Sequence, residues 1–432
     1  MKKWLVVLTR VVIGVVFILS GGAKCIDPWG TVFKIEEYFA VWGWYDFPAS
    51  LITVGAFLLA GYEFVWGGLL MLGCYRRGAV VALSLLMAFM LPLSLYIAIA
   101  DPVADCGCFG DALVISNTAT FIKNLFICAG LAYLLPFNRR VATFVTPYVQ
   151  WIAGGWLTLY ALGIGLIGYN LQPLMDFRRF SPGVSLFVSD EETDNGEIVT
   201  QMVYTYERDG VRRDFTLTNL PDSTWTFVDS HIEGGNETIT DGFVITDPET
   251  GEDLTEEVLS TAGGKDLFIV TIPDIKQVDL SATYLLNDLN DFILSRNGKL
   301  VVLTGINATA ADISAWRDVS MGTYPIYRTD EKQIKELARG NSALVYVEDG
   351  EVRWKRTLNS ISYSLVTDTP ADELLEQLDP TPVRMFQSVT LFFAGFLALL
   401  IILDRTGHLV HISIKRRKRK SKDSCKETEK SE

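Results

Sequence analysis

Two thiols stand one residue apart in the run Asp105-Cys106-Gly107-Cys108-Phe109-Gly110-Asp111, a short acidic loop between two long apolar segments. Such a pair can close on itself, hold a soft metal, or exchange disulfides with a visitor. A bond between residues i and i+2 closes a tight ring, and Gly107 supplies the backbone freedom it needs. Strained disulfides are the more oxidising ones, which suits a donor of disulfides. Metal binding is the least favoured reading. Two thiolates leave a zinc or copper site short of ligands, and the three histidines, His231, His408 and His411, lie far along the chain. The plain alternative is a static disulfide that pins the loop, or a pair that stays reduced.

Other residues bear on the same chemistry. Lys123, about a turn and a half into the next apolar segment, would favour thiolate, whereas Asp101, Asp105 and Asp111 would oppose it. Cys25 follows the first apolar segment and could relay electrons through a mixed disulfide with Cys106 or Cys108. Its simpler reading is an unpaired interfacial thiol. Cys128 reads as core packing, and Cys74 and Cys425 as thiols on the reducing side. Arg10 and Glu63 are charges inside apolar segments, where charge is costly and usually paired. Their depths differ by only about 6 Å at 1.5 Å per residue, so they are expected to form an ion pair. That pair is either a proton or quinone-headgroup site or a lock between two helices. Pro92 is expected to kink the segment beneath the cysteine loop.

These residues need elements to hold them. The chain has 432 residues, 49% of them hydrophobic. Its mean hydropathy is +0.25, which points to a membrane protein. Five apolar segments crowd the first 170 residues: Trp4–Ser20, Ser50–Leu72, Gly78–Ala100, Thr118–Pro136 and Val149–Tyr169. A sixth covers Phe386–Leu403. Each runs about 17–23 residues, enough for a helix to cross about 30 Å of hydrocarbon. A signal peptide at the start is disfavoured, because further apolar segments follow directly.

Charge sets the orientation. Lys2-Lys3, Arg76-Arg77, Arg139-Arg140 and the run Lys415–Lys420 fall on one side if every segment crosses, and the positive-inside rule makes that side the cytoplasm. Both termini are then cytoplasmic, and the cysteine loop faces a compartment where disulfides persist. The stretch from 171 to 385 carries 38 acidic and 18 basic side chains, near −20, and leaves the remainder near +7. An acidic domain on a basic membrane part argues against nucleic acid as a partner. That domain has no cysteine, so it has no thiol chemistry of its own.

The acidic domain divides in two. Strand-like runs, Glu197–Tyr206, Asp214–Leu217, Thr224–Val228 and Gly242–Thr246, come first. From Asp266 the pattern becomes strand Leu267–Ile272, helix Ala282–Arg296, strand Lys299–Thr304, helix Ala311–Val319, strand Tyr324–Tyr327 and helix Glu331–Ala338. A hairpin of Ala343–Val347 with Val352–Arg356 and a helix at Ala371–Leu378 follow. This order looks like a thioredoxin-type fold, although many small α/β domains share pieces of it.

The first four segments resemble the DoxX-like membrane family, and more closely its branch related to the methylamine-utilisation protein MauE. The resemblance rests on Arg10, Ser20-Gly21, Lys24, Asp27-Pro28-Trp29-Gly30, Glu63-Phe64, Gly67-Gly68, the Cys106-Gly107-Cys108-Phe109-Gly110 run and Lys123-Asn124. The arrangement with an appended domain and a final helix also resembles a group of bacterial envelope proteins. The resemblance implies a link to disulfide formation in an exported partner and, more weakly, to a quinone acceptor. The loop Gly305–Ala310, where a thioredoxin would carry Cys-x-x-Cys, has no cysteine, so the outer domain departs from an active thioredoxin.

The expected fold is therefore an α-helical membrane bundle, a four-helix DoxX/MauE-like core plus two further transmembrane helices, with an extracytoplasmic α/β thioredoxin-like domain. The expected divisions are 1–136, 137–170, 171–265, 266–384, 385–404 and 405–432. The expected location is the bacterial inner membrane, with 171–384 outside. Two functions compete. One is a membrane thiol-disulfide oxidoreductase using Cys106 and Cys108, with Cys25 and Lys123 as auxiliaries, an exported thiol protein as partner and quinone as acceptor. The other is a non-enzymatic anchor or scaffold whose outer domain binds a protein partner. A transporter lacks support, since no inverted repeat is visible. Neither substrate nor oligomeric state is legible.

Overall fold

The computed structural model describes residues 3–44, 47–137, 143–186, 201–208, 211–216, 226–233, 243–259, 266–276, 278, 282–340 and 342–429. Its first part is helical: α1 Lys3–Ile26, α2 Pro28–Val41, α3 Ala49–Leu72, α4 Arg76–Ala100, α5 Asn117–Phe137 and α6 Gln150–Asn170. Among the described residues, six helices are long and apolar enough to cross a membrane: five of these, all but α2, and the stretch Pro382–Lys415.

Helix α1 packs closely along α3. A side chain at Gly21 would run into the backbone of Phe64, so only glycine permits the approach. Small residues at such seams let helices touch where lipid supplies no hydrophobic drive. The bundle core includes Phe17, Phe64, Leu70, Leu83, Leu131 and Leu157. At one end, Phe144 N–H donates to the Leu72 carbonyl over 3.0 Å, and Tyr75 N–H donates to Gln150 over 2.9 Å. The cysteine loop, α2 and the sheet domain gather at the opposite end.

Helix α2 lies between the first two apolar segments, in a stretch where the apolar pattern predicts no spanning helix. Asp27 caps it by accepting from Gly30 N–H over 2.9 Å, and Pro28 opens its first turn.

Beyond the bundle, β1 Gln201–Arg208, β2 Val211–Thr216 and β3 Thr226–Glu233 form an antiparallel sheet in the order β2-β1-β3. The expected strand at Gly242–Thr246 is reduced, within the described residues, to isolated bridges of Thr246 to Asp253 and Arg328. A short helix, α7 Thr255–Leu259, leads to β4 Leu267–Ile272, α8 Ala282–Ser295, β5 Lys299–Gly305, α9 Ala310–Ser320, β6 Ile326–Thr329, α10 Glu331–Leu337, β7 Ala343–Glu348 and β8 Glu351–Thr357. These strands make one mixed sheet, β6-β5-β4-β7-β8. Strand β4 pairs parallel with β5 and antiparallel with β7. All six β4 residues are buried, as a central strand covered on both faces requires. Phe268, Leu286, Trp316 and Leu374 fill one face, and Phe180, Phe243, Ile269 and Val345 the other.

Helices α11 Tyr363–Asp368 and α12 Ala371–Leu378 lead into α13 Pro382–Glu429. Helix α13 returns along α6. Trp156 Nε1 donates to the Phe393 carbonyl over 3.1 Å, and the Tyr160 and Phe393 rings stack with centroids 4.1 Å apart. Thr146 bonds Asp404 through its N–H over 2.8 Å, fastening α13 to the end that holds Leu72 and Gln150.

Candidate functional site

The loop between α4 and α5 is closed at its base. Asn117 Nδ2 donates to Asp101 Oδ1 over 2.7 Å and to the Val103 carbonyl over 2.9 Å. At its tip, Gly107 sits at φ +66°, the left-handed region that glycine enters without penalty. Its N–H donates to Asp105 Oδ1 over 2.6 Å, which folds the turn so that the Cys106 and Cys108 Sγ atoms lie 2.8 Å apart.

Both cysteine carbonyls are held from the helical side. Tyr38 of α2 donates its hydroxyl to the Cys106 carbonyl over 3.0 Å. Lys34, also of α2, pairs with Asp105 at 3.1 Å and Glu37 at 2.7 Å. The Cys108 carbonyl reaches into the bundle, where Lys24 Nζ and Ser20 Oγ each approach it to 2.5 Å. Lys24 also donates to Ser20 Oγ and Glu63 Oε2, each at 2.8 Å, so its three N–H donors meet three acceptors. Ser20 Oγ lies 2.6 Å from Glu63 as well. The Lys24–Glu63 pair is buried, with side chains 3% exposed, and such a pair persists only where its remaining hydrogen bonds are made.

Lys123 of α5 sits 4.5 Å from the Phe109 ring centroid, a cation–π contact beside the loop. The hydrogen bond shared with Cys106 holds Cys108 down at about 6; burial opposes this, and Lys123 and Lys24 reinforce it. The same bond, with burial, pushes Cys106 up.

The sheet domain reaches this site through Arg339, just after α10. Its guanidinium bonds Asp27 at 2.9 Å and also bonds Asp111, three residues after Cys108. Gln172 clasps the Arg339 backbone, donating to its carbonyl over 2.8 Å and accepting from its N–H over 2.9 Å. A groove of about 480 Å³ runs between α2 and this domain, lined by Trp29, Phe33, Glu36, Lys276, Asn307 and Lys335.

The residues anticipated from sequence distribute as follows. Cys106 and Cys108 meet, and Lys123 stands beside them. Cys25 is buried in the apolar core with Phe64 and Ala161, and among the described residues it makes no hydrogen bond to either loop sulfur. The expected Arg10–Glu63 pair is not formed. Glu63 pairs with Lys24, and the Arg10 guanidinium lies against Gly73 and over the Phe144 ring, at the other end of the bundle. Ten helical residues separate Glu63 from Gly73, about 15 Å of rise. Similar backbone depth did not bring the side chains together, because the arginine extends towards the chain-terminal end of α1 and Lys24 is nearer. Lys24, Ser20, Tyr38, Lys34 and Arg339 were not singled out as site residues. The i, i+4 spacing of Ser20 and Lys24 was the available signal for two of them.

Residues 2–137 match the family described as methylamine utilisation protein MauE, and residues 200–233, which contain β1 to β3, match a domain of unknown function, DUF8463. No curated protein and no solved structure matches the chain. With six helices suited to a bilayer and a match that covers α1 to α5, the chain is a multi-pass integral membrane protein whose N-terminal bundle is MauE-like.

Proposed function

We propose that this protein exchanges disulfides with exported thiol proteins through Cys106 and Cys108. The observation that carries this reading is the approach of the two sulfurs to 2.8 Å in a turn whose backbone is tied to the bundle on both sides of Gly107. Such a pair can open and close with little movement of its surroundings. In the exchange, a partner thiolate attacks one sulfur of the Cys106–Cys108 disulfide. A new intermolecular S–S bond forms, and the other cysteine leaves with the electron pair. The partner's second thiolate then attacks its own bridged sulfur, which releases the reduced pair and an oxidised partner. Two electrons pass from partner to protein, and the reverse sequence needs no further reactant.

The positive-inside pattern supports cytoplasmic termini and an outward-facing loop in a bacterial inner membrane. The sheet domain, residues 266–384, is read as thioredoxin-like from its element order, and its loop at Gly305–Ala310 has no cysteine, which suits binding rather than redox work. A quinone does not fit beneath the pair. The cavity there, between Met87, Met90, Phe109, Lys123 and Asn124, measures about 30 Å³. That is room for one water or two, not for a ring.

The groove between α2 and the sheet domain favours a second reading, a scaffold that binds a protein partner while the cysteine pair stays closed. Thiol mass-tagging in membranes separates the two. Cycling of Cys106 and Cys108 when reduced exported protein is supplied supports exchange; a pair oxidised under every condition leaves the scaffold. Labelling with a membrane-impermeant maleimide from outside tests the orientation.

A further inference from the structure

Lys24 does more than join α1 to α3. A lock between those helices needs only the Lys24–Glu63 contact at 2.8 Å. Lys24 and Ser20 each also reach the Cys108 carbonyl, which belongs to the loop and not to either helix. The Cys106 carbonyl, by contrast, is held by Tyr38 of the surface helix α2. The two sulfurs therefore stand in unequal surroundings. Cys108 lines the cavity below the loop together with Ser20, Glu63 and Lys123, and Cys106 stands on the α2 side.

We infer that Lys24, locked between Ser20 and Glu63, is a positioning residue: it holds Cys108 on the bundle side as the sulfur that leaves with the electron pair, and so makes Cys106 the sulfur a partner thiol attacks. This deepens the exchange reading above and rests on it. Among the described residues, the charged and titratable groups around Cys108 are Lys24 on α1, Glu63 on α3, Lys123 on α5, Lys34, Glu37 and Tyr38 on α2, and Asp105, Cys106 and Asp111 in the loop. Glu63 is matched by Lys24, Asp105 by Lys34 and Asp111 by Arg339. Among the described residues, the further cation that acts on the sulfur from the bundle side, besides Lys24, is Lys123. A better leaving thiolate departs faster, so attack at Cys106 with Cys108 leaving is the favoured order. The bond that breaks is Cys106–Cys108; the bond that forms joins Cys106 to the partner sulfur; the electron pair stays on Cys108.

The test is the pH profile of alkylation at each sulfur, read by site-resolved mass spectrometry on the reduced full-length protein in membranes with iodoacetamide as probe. The neutral double variant Lys24→Met/Glu63→Gln is expected to move the Cys108 midpoint upward and to slow Cys108 about tenfold at pH 7, with Cys106 changed less than threefold. An unchanged Cys108, or equal shifts at both sulfurs, overturns the inference. Lys24→Arg keeps the charge and is expected to retain the wild-type profile; a shift as large as in the neutral variant overturns a role for the charge. Should the double variant fail to insert, Ser20→Ala serves alone. A Cys108 slowed about threefold with Cys106 constant supports the inference, and an unaltered Cys108 overturns it. No partner enters this measurement. A pair that never cycles in membranes would sink the exchange reading while the alkylation profile still judged Lys24.

Discussion

Arg339 and Asp111 are bonded across 228 positions of the chain. The arginine belongs to the sheet domain, and the aspartate follows the cysteine run. Through Asp27 the same guanidinium also grips the cap of α2, so one side chain, 7% exposed, joins the domain, the surface helix and the thiol loop.

Replacing Arg339 with Leu is expected to loosen that junction. Asp27, 15% exposed, and Asp111, 46% exposed, would lose their shared partner, which costs less than the loss of one member of a fully buried pair. The expected outcome is a several-fold rise in alkylation of Cys106 and Cys108 and faster proteolysis near residues 171–186, with the bundle still folded. Unchanged thiol access would show that the domain does not restrain the loop.

Glu63 and Lys24 should be energetically coupled, whereas Glu63 and Arg10 should not. A double-mutant cycle on Lys24 and Glu63 is expected to return a coupling of about 2 kcal/mol, because each single variant leaves a buried charge behind. The matching cycle on Arg10 and Glu63 should be additive to within about 0.5 kcal/mol, as for sites that lie apart. Detergent melting of the wild type and the five variants supplies the measurement.

Gly107→Ala tests the turn. The new methyl would sit at a left-handed φ, which costs a residue with a side chain about 1 kcal/mol or more, and it would press on the Lys34 stem 2.7 Å away. Closure of the Cys106–Cys108 disulfide in a defined thiol buffer is expected to fall several-fold, while the melting temperature moves by only a few degrees. Closure at the wild-type rate would mean that the positive φ is not needed to bring the sulfurs together.

Acid should unfasten the sheet domain through Asp176. Burial would raise this carboxyl, yet Arg178 and Lys355 hold it down to about 2, with contacts of 2.7 and 2.8 Å. A carboxylate depressed in the folded state contributes stability above its ordinary value of 3.8 and loses it as pH falls from there towards 2. The amount is about 2 kcal/mol. Wild-type protein should therefore lose melting temperature more steeply between pH 4 and pH 2 than Asp176→Asn, which starts lower and lacks that segment of the slope. Parallel curves would show that Asp176 titrates normally.

The bundle was legible because its segments are long and apolar: α3 and α4 begin and end within two residues of the expected spans. The sheet was legible from short apolar runs separated by amphipathic stretches, and the β7–β8 hairpin formed around Asp349-Gly350 as expected. Helix α2 escaped because it mixes Trp29, Phe33 and Phe39 with Lys34, Glu36 and Glu37, a pattern neither apolar enough for a span nor long enough to stand out. Its Asp27-Pro28 start was the overlooked cue. The cysteine pair was visible because its geometry is local. Its setting was not: nothing near Cys108 in sequence points to Lys24, Glu63 or Arg339. Arg10 shows the same limit, since backbone depth alone does not give the direction in which a side chain leaves its helix.

The Arg339–Asp111 bond also has a place in time. A chain made at about 5–20 residues per second needs roughly 10–50 seconds to add the 228 residues that separate the two. The thiol loop is thus synthesised long before the arginine that ties it down, and for that interval every nascent molecule holds its two cysteines without the clasp from its own far end.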